Sequence, residues 1–518
     1  MTAAPMPDIL SVYASTQPGK LAVVDDRPGA GVFTWTYAEL EAEANRLANT
    51  LASLGVRSGD KLIWCGPNSP QVVAIVNAAR KLGAVAVPLN YRLTPEEAAY
   101  IVTDSDACAA YVDAEYAHLI PAPGGNLRNV LVYGGPAPDG TLGEDLVAGA
   151  SAEPPVKDSE DTGATMIYTS GTTGKPKGAY RKATDQNTAI ALISFIGYAP
   201  DDVYLTSGPL YHSGPLAFMS VGLLLGQTVI IQRKFDPEDW LRLVGTYKVS
   251  STFSAPPLVR LVCALPAAVK ERYDRSSMRI MLANAAPWSF ALKQAYVADF
   301  PPESLWEIYG STELGVNCVL EPKDQLRKPG SCGKPAPGIE IRLLDPEGRE
   351  VTGTGPENSG ELFVRSGGVF HEYYKQPGSY AATMQGDFHT VGDIAYRDDE
   401  GYYYICDRKN DMIISGGMNI YPAEIEAALE QHPGIFDVAV FGIPSEEWGE
   451  GVHATVVAAP GTELTEDDVI TFAREHLASY KTPRSVSFVD ELPRTGSGKL
   501  LKRQLRAPYW AGHTTQVS

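Results

Sequence analysis

The segment Tyr168-Thr169-Ser170-Gly171-Thr172-Thr173-Gly174-Lys175-Pro176-Lys177-Gly178 packs three glycines, four aliphatic hydroxyls and two lysines into eleven residues. Glycines let a backbone approach a ligand closely, while amides, hydroxyls and ammonium groups supply donors and positive charge. Together these suit a polyphosphate. The Walker arrangement is excluded, because Gly174-Lys175 is followed by Pro176 rather than Ser or Thr and the glycine spacing differs. The chain carries a formal net charge of −19, so a polyanionic ligand needs its basic residues concentrated locally. Lys175, Lys177, Arg181 and Lys182 cluster in and after this loop, and Lys499, Lys502, Arg503 and Arg506 cluster near the end.

Further segments stand at suitable spacing: Asn284-Ala285-Ala286-Pro287, Tyr309-Gly310-Ser311-Thr312-Glu313, Gly392-Asp393, Asp407-Arg408-Lys409-Asn410-Asp411, Ser415-Gly416-Gly417-Met418-Asn419 and Leu492-Pro493-Arg494-Thr495-Gly496-Ser497-Gly498-Lys499. Together with the phosphate loop, and over roughly residues 10 to 507, this pattern resembles the adenylate-forming superfamily. That group comprises acyl-CoA synthetases, luciferases and the adenylation domains of peptide synthetases. The resemblance implies an enzyme that joins a carboxylic acid to ATP, releases pyrophosphate and passes the acyl group to a thiol.

It also implies roles residue by residue. Thr169, Ser170, Gly171, Thr172, Thr173, Gly174, Lys175, Lys177 and Gly178 would hold phosphates, and Ala285, Ala286 and Pro287 would border the adenine. Tyr309, with Gly310 and Ser311, would pack on the base, Thr312 would meet the α-phosphate, and Glu313 would hold Mg²⁺, which favours carboxylate and phosphate oxygens. Asp393 would accept hydrogen bonds from the ribose hydroxyls and Arg408 would contact ribose and phosphate. Asn410 stands where the family pivots, usually on Asp or Lys. Gly416 and Gly417 would line the passage for the coenzyme A arm, and Lys481 and Arg484 would bind its phosphates. Lys499 would bridge the substrate carboxylate and the α-phosphate, where two anions must meet.

Tyr211-His212 stands where amino-acid-activating relatives carry Phe-Asp, so the carboxylate that pairs with a substrate amine is missing. His212 is the candidate gate and catalytic group of the acid pocket. Tyr211, Gly214, Phe218, Val221, Ala283, Trp288, Gly310, Gly315, Val316 and Cys318 are its expected wall, without a basic residue for a second carboxylate. The expected substrate is a hydrophobic monocarboxylic acid, medium-sized to bulky, with aliphatic, aryl and polycyclic acids all open. The expected acceptor is CoA, with a carrier-protein thiol as the alternative. A non-catalytic nucleotide-binding relative would be expected to lack Lys499, Glu313 or Thr312, and all three are present.

These residues need elements to position them. Ala164-Thr165-Met166-Ile167 reads as a buried strand leading into the loop, and 304–308 as another before Tyr309. Thr36-Tyr37-Ala38-Glu39 reads as a capping box opening a helix with Leu40, Leu47, Leu51 and Leu54 on one side. Strands at 61–65 and 84–89 flank a helix at 69–82, the rhythm of βαβ units. From about Gly333, short β-type runs at 339–344, 360–364 and 401–405 alternate with turns. After Asp407, helices at 422–431 and 465–477 and strands at 437–441, 454–458 and 485–489 make a compact α+β pattern. The expected fold is α/β: a large N-terminal domain (1–406) of stacked βαβ-type sheets plus a β-barrel-like subdomain. A hinge (407–410) and a small mobile α+β C-terminal domain (411–518) carrying Lys499 complete it.

Six scattered cysteines without a Cys-x-x-Cys pair argue against a disulfide framework and for a reducing cytoplasm. No run of about 18 apolar residues exists, and Met1 to Gln17 lacks a secretory pattern. The acidic balance disfavours nucleic acid as a partner. A homodimer is carried as an expectation.

Overall fold

The computed structural model describes residues 8–157, 159, 163–169, 176–182, 186–284, 288–409, 411–415, 418–445, 447–494 and 500–511. Local signals place the first helices where expected. Thr36 and Glu39 form the reciprocal capping box at the start of Tyr37–Ser53. Ser69 caps Pro70–Leu82, and Gly83, with φ of 69°, ends it in the left-handed conformation that a side chain would resist. Leu40, Leu47 and Leu51 of the first helix and Val72, Val73 and Ile75 of the second share one core with residues of two large sheets.

Those sheets carry the N-terminal unit. One has seven strands among the described residues, with Ala164–Thr169 and Lys177–Lys182 beside the parallel set Val85–Leu89, Lys61–Cys65, Ala107–Asp113 and Asn129–Tyr133. The other has nine, and its parallel centre runs through Val203–Thr206, Ser251–Ser254, Ile280–Ala283 and Leu305–Ser311. Parallel strands buried on both faces explain why these segments read as short apolar runs. The barrel-like subdomain is a six-stranded antiparallel sheet built around Gly360–Arg365, Asp393–Arg397 and Tyr403–Arg408. Its last strand starts later than 401 and runs to Arg408, which pairs in register with Asp393.

The C-terminal unit is a five-stranded sheet with two helices, Pro422–Leu429 and Glu466–His476, plus the terminal helix Lys502–Trp510. It has its own core of Ile413, Ile425, Leu429, Val440, Val452, Val456 and Val469. The expected short strands at 437–441 and 454–458 are a long hairpin, Ile435–Ser445 with Gly449–Ala458. Gly442, Pro444, Gly449 and Gly451 look like chain breakers in sequence, yet they face partners across this ladder, as in Gly442 with Val452. No helix among the described residues is long and apolar enough to cross a membrane.

One buried ion pair braces the strand that leads to the Tyr309 segment. Lys293 Nζ, 1% exposed, lies 2.5 Å from Glu307 Oε2 on Leu305–Ser311. Burial pushes the Glu307 carboxyl up, and Lys293 opposes that. Lys293→Met leaves the carboxylate without its cation, so the unfolding free energy in urea is expected to fall by about 3–5 kcal/mol. Adding Glu307→Gln is expected to recover most of that loss.

Candidate functional site

The expected phosphate loop joins two antiparallel strands, with Thr169 and Lys177 paired across its base. Residues 170–175 lie outside the described residues, as do Ala285 to Pro287, Asn410, Gly416, Gly417 and 495–499. Their described flanks converge nonetheless. A single cleft of about 3190 Å³ is lined by Thr169, Lys177, Tyr309 to Glu313, Asp393 and Arg408, and, from the C-terminal unit, by Arg494, Leu500 and Lys502.

Two hydrogen-bonded groups organise one side of this cleft. In the first, Glu313 is 9% exposed and its Oε1 accepts from the hydroxyls of Thr169 (3.1 Å) and Tyr373 (3.2 Å). Beside it, Thr312 Oγ1 lies 2.9 Å from Ser213 Oγ. Lys177 Nζ donates to Ser379 Oγ (3.1 Å) and sits 5.5 Å from the Tyr373 ring centre. In the second group, the Tyr309 hydroxyl donates to Asp393 Oδ2 (2.5 Å), and Arg408 Nε lies 3.4 Å from Asp393 Oδ1. Burial and the Asp393 charge push the Tyr309 phenol far above its ordinary range, so it stays a donor. Gly310 is required by packing: a Cβ there would lie 2.0 Å from the Gly315 carbonyl oxygen.

Arg181 departs from its expected place among the phosphate-facing cations. Its guanidinium donates to the carbonyls of Gly368 and Thr312 and reaches that of Glu313 at 3.4 Å. Burial lowers its pKa, and Glu313 partly compensates. Its charge is spent holding the Thr312-Glu313 backbone in place. Tyr373, Ser379 and Ser213 were likewise not singled out by sequence. The first two are some two hundred residues from the loop they serve, so no local pattern announces them.

The expected acid wall is mostly apolar and aromatic, with Arg92 beside it. Tyr211, His212, Gly214, Phe218, Val221, Trp288, Gly315 and Val316 line the cleft, as does Gly310. Phe218 stacks on Phe253 with ring centres 5.2 Å apart, and Gly214 is needed because a Cβ would meet that ring at 2.4 Å. Ala283 and Cys318 do not join this wall. Both are fully buried, Ala283 in the core with Trp240 and Tyr296, Cys318 in the larger one. His212 precedes the helix Ser213–Leu224 and lies 4.4 Å, centre to centre, from Tyr211. Burial pushes its pKa down to about 4, with nearby Arg92 adding to the effect. The ring is therefore neutral at physiological pH. Sequence reasoning missed Tyr91 and Arg92, which line the cleft next to this pair.

The two expected CoA cations do not come together. Lys481 lines the cleft but is paired with Glu424 at 2.5 and 2.7 Å. Arg484 is outside the lining and lies over the Trp448 ring at 5.5 Å. Asp407, in the expected hinge, accepts from the Ala423 amide (3.0 Å) in the first turn of Pro422–Leu429. Burial raises its pKa to about 6, opposed by Lys502 and reinforced by Glu426 and Asp411.

Comparison with known proteins agrees with this geometry. The chain matches the AMP-binding enzyme family over residues 10–374 and the AMP-binding enzyme C-terminal domain over 424–499. It is 36% identical to a feruloyl-CoA synthase of an Amycolatopsis species, over 91% of this chain and 93% of that one. It is 33% identical to the fatty acid–[acyl-carrier-protein] ligase ScoC of Streptomyces coeruleorubidus, over 94% and 93%. Its structure superposes on the anthranilate CoA ligase AuaEII in complex with anthranoyl-AMP with a TM-score of 0.87 at 26% identity, covering 99% of this chain and all of that one. The chain belongs to the adenylate-forming superfamily of AMP-binding enzymes. Within it, the chain is an AMP-forming acid–thiol ligase.

His212 titrates below its ordinary value, so the fold favours the neutral ring. Stability tied to it is fully present above about pH 6.5 and is lost as pH falls toward about 4, because the unfolded chain takes up the proton first. Between pH 7 and pH 5, the stability advantage of the wild type over His212→Gln in urea melts is expected to shrink by about 2 kcal/mol. A difference that does not change with pH would contradict this assignment.

Proposed function

We propose that this ligase activates a hydrophobic monocarboxylic acid, medium-sized to bulky, as an acyl-AMP and transfers the acyl group to CoA. The observation that carries the proposal is the convergence, in one cleft, of the Glu313 group, the Tyr309–Asp393–Arg408 group and the base of the Lys499 segment, beside an apolar wall. We place the boundary between the two units after Arg408, since the strand of the N-terminal unit runs to that residue, with Asn410 as pivot.

In this scheme ATP lies along the Thr169–Lys177 hairpin, its ribose hydroxyls on Asp393 and its phosphates toward Thr312 and residues 170–175. Glu313 fits Mg²⁺: it is a buried hard-oxygen donor, and no cluster of three His, Cys, Asp or Glu side chains suited to a metal occurs among the described residues. Glu313 would hold the ion together with substrate phosphates, and the ion would supply neutralisation of phosphate charge. Arg181 and Ser213 keep Thr312 in register. The substrate carboxylate attacks the α-phosphorus, pyrophosphate leaves with the bonding pair, and Lys499 stabilises the crowded negative charge. Neutral His212 and Tyr211 border the acid without adding a cation. In the second step the C-terminal unit turns about Asn410, a thiol attacks the acyl carbonyl, and AMP departs.

Relatives named for feruloyl and other CoA esters support CoA as acceptor, and the apolar wall leaves aliphatic, aryl and polycyclic acids open. ScoC supports the second reading, a carrier-protein thiol. Mass spectrometry of the product with CoA or a holo carrier protein as acceptor separates the two. A cytoplasmic setting is part of this reading, on the six scattered cysteines that stand as free thiols.

Lys499→Ala is expected to slow acyl-AMP formation by about 100-fold or more, measured by rapid quench without CoA. Thiolysis of supplied acyl-AMP is expected to stay near the wild-type rate. Undiminished acyl-AMP formation would overturn the role given to Lys499.

A further inference from the structure

One contact between the two units joins residues far apart in sequence. Arg260, on the helix Pro256–Cys263, donates from Nη1 to the Phe436 carbonyl at 2.8 Å. Its guanidinium carbon lies 6.0 Å from the centre of the Phe436 ring, and Nη2 lies 3.9 Å from Glu430 Oε1. The ion pair alone is long and partly solvated, and such pairs are weak. The directed hydrogen bond and the ring contact add orientation to it.

The surface that Arg260 grips is acidic. Glu426 and Glu430 come from Pro422–Leu429 and its cap, and Asp437 from the strand that follows. Two of these carboxylates are matched inside the C-terminal unit. Arg494 holds Asp437 at 2.7 and 2.9 Å, and Lys502 holds Glu426 at 2.9 Å. Glu430 takes its cation from the other unit. Its carboxyl is pushed up by burial, with Glu426 and Asp437 adding to that and Arg260 and Arg494 opposing it.

The two internal pairs stand at the two ends of residues 495–499, and Arg494 and Leu500 form a β-bridge across that base. The base of the Lys499 segment is therefore fastened to the same acidic surface that Arg260 holds from the N-terminal unit. All of these residues line the one cleft.

We infer that Arg260 is a positioning residue for the first half-reaction: it docks the C-terminal unit with Arg494 and Leu500, the base of the Lys499 segment, in the cleft and must let go before the thiol step. The inference rests on the reading above that Lys499 serves acyl-AMP formation. A turn of the C-terminal unit carries Phe436 and Glu430 away from Arg260, so the contact favours one orientation at the expense of the other. Its removal should cost the first step and not the second.

The two half-reactions of the full-length enzyme, followed separately, test this. Arg260→Ala is expected to slow acyl-AMP formation about ten-fold at saturating ATP, with thiolysis of supplied acyl-AMP unchanged or faster. Arg260→Lys should recover part of the loss, and Arg260→Glu combined with Glu430→Arg should do better than Arg260→Glu alone. Equal loss in both half-reactions, which misfolding would also give, or no loss in either, overturns the inference. Lys499→Ala run alongside tells the two failures apart. If it blocks acyl-AMP formation while Arg260→Ala does not, only the Arg260 assignment falls. If Lys499→Ala leaves that step intact, the reading beneath it falls as well.

Discussion

Glu313 sits nearly out of solvent, 9% exposed, in the wall of the cleft. Burying a carboxylate is tolerated only when its oxygens are bonded. Here Thr169 and Tyr373 supply the bonds from two separate stretches of chain, and Arg181, behind them, supplies a positive charge and fixes the backbone. Much of the N-terminal architecture follows from this arrangement. The hairpin Ala164–Thr169 with Lys177–Lys182 brings Thr169 in, and Glu372–Tyr373 adds itself to the same hairpin's edge. The tight pairing of Leu305–Ser311 with Gly315–Leu320, possible because residue 310 lacks a side chain, turns Thr312 and Glu313 into the cleft.

The second half of the site arrives on a separately folded unit. It has its own core, and among the described residues polar groups link it to the N-terminal unit: Asp407 to the Ala423 amide, Ser359 to Tyr421, and Arg260 to Phe436 and Glu430. Polar contacts of this size are exchangeable at modest cost, whereas an apolar interface would lock one orientation. The proposed mechanism, in which a lysine is brought to a phosphate and a thiol is then admitted, is served by the exchangeable kind.

What the sequence made legible was local chemistry. The capping box at Thr36 and the Tyr309 to Glu313 segment that lines the cleft each need particular residue types within a few positions, so they read directly from the chain. Residues 170–175 of the expected phosphate loop lie outside the described residues. Contacts that span the chain were not legible. Tyr373 and Ser379 join the site only through sheet pairing, and Arg181 looks like one more phosphate-facing cation until its carbonyl partners are seen. Ala283 sits just before the expected adenine-bordering segment in sequence, but its side chain belongs to the core. The C-terminal hairpin was read as too short, because glycine and proline near its tip pair in register there instead of ending it. Lys481 and Arg484 are neighbours in sequence, yet a pairing with Glu424 and a Trp448 ring draw them to different surroundings.

The central claim is that the acid is activated by attack of its carboxylate on the α-phosphorus. With a substrate acid carrying ¹⁸O in both carboxylate oxygens, mass spectrometry of the products after a single turnover with ATP and CoA tests this directly. The account predicts one ¹⁸O in AMP, none in pyrophosphate, and one retained in the thioester. Label in inorganic phosphate, or AMP free of label, would contradict it.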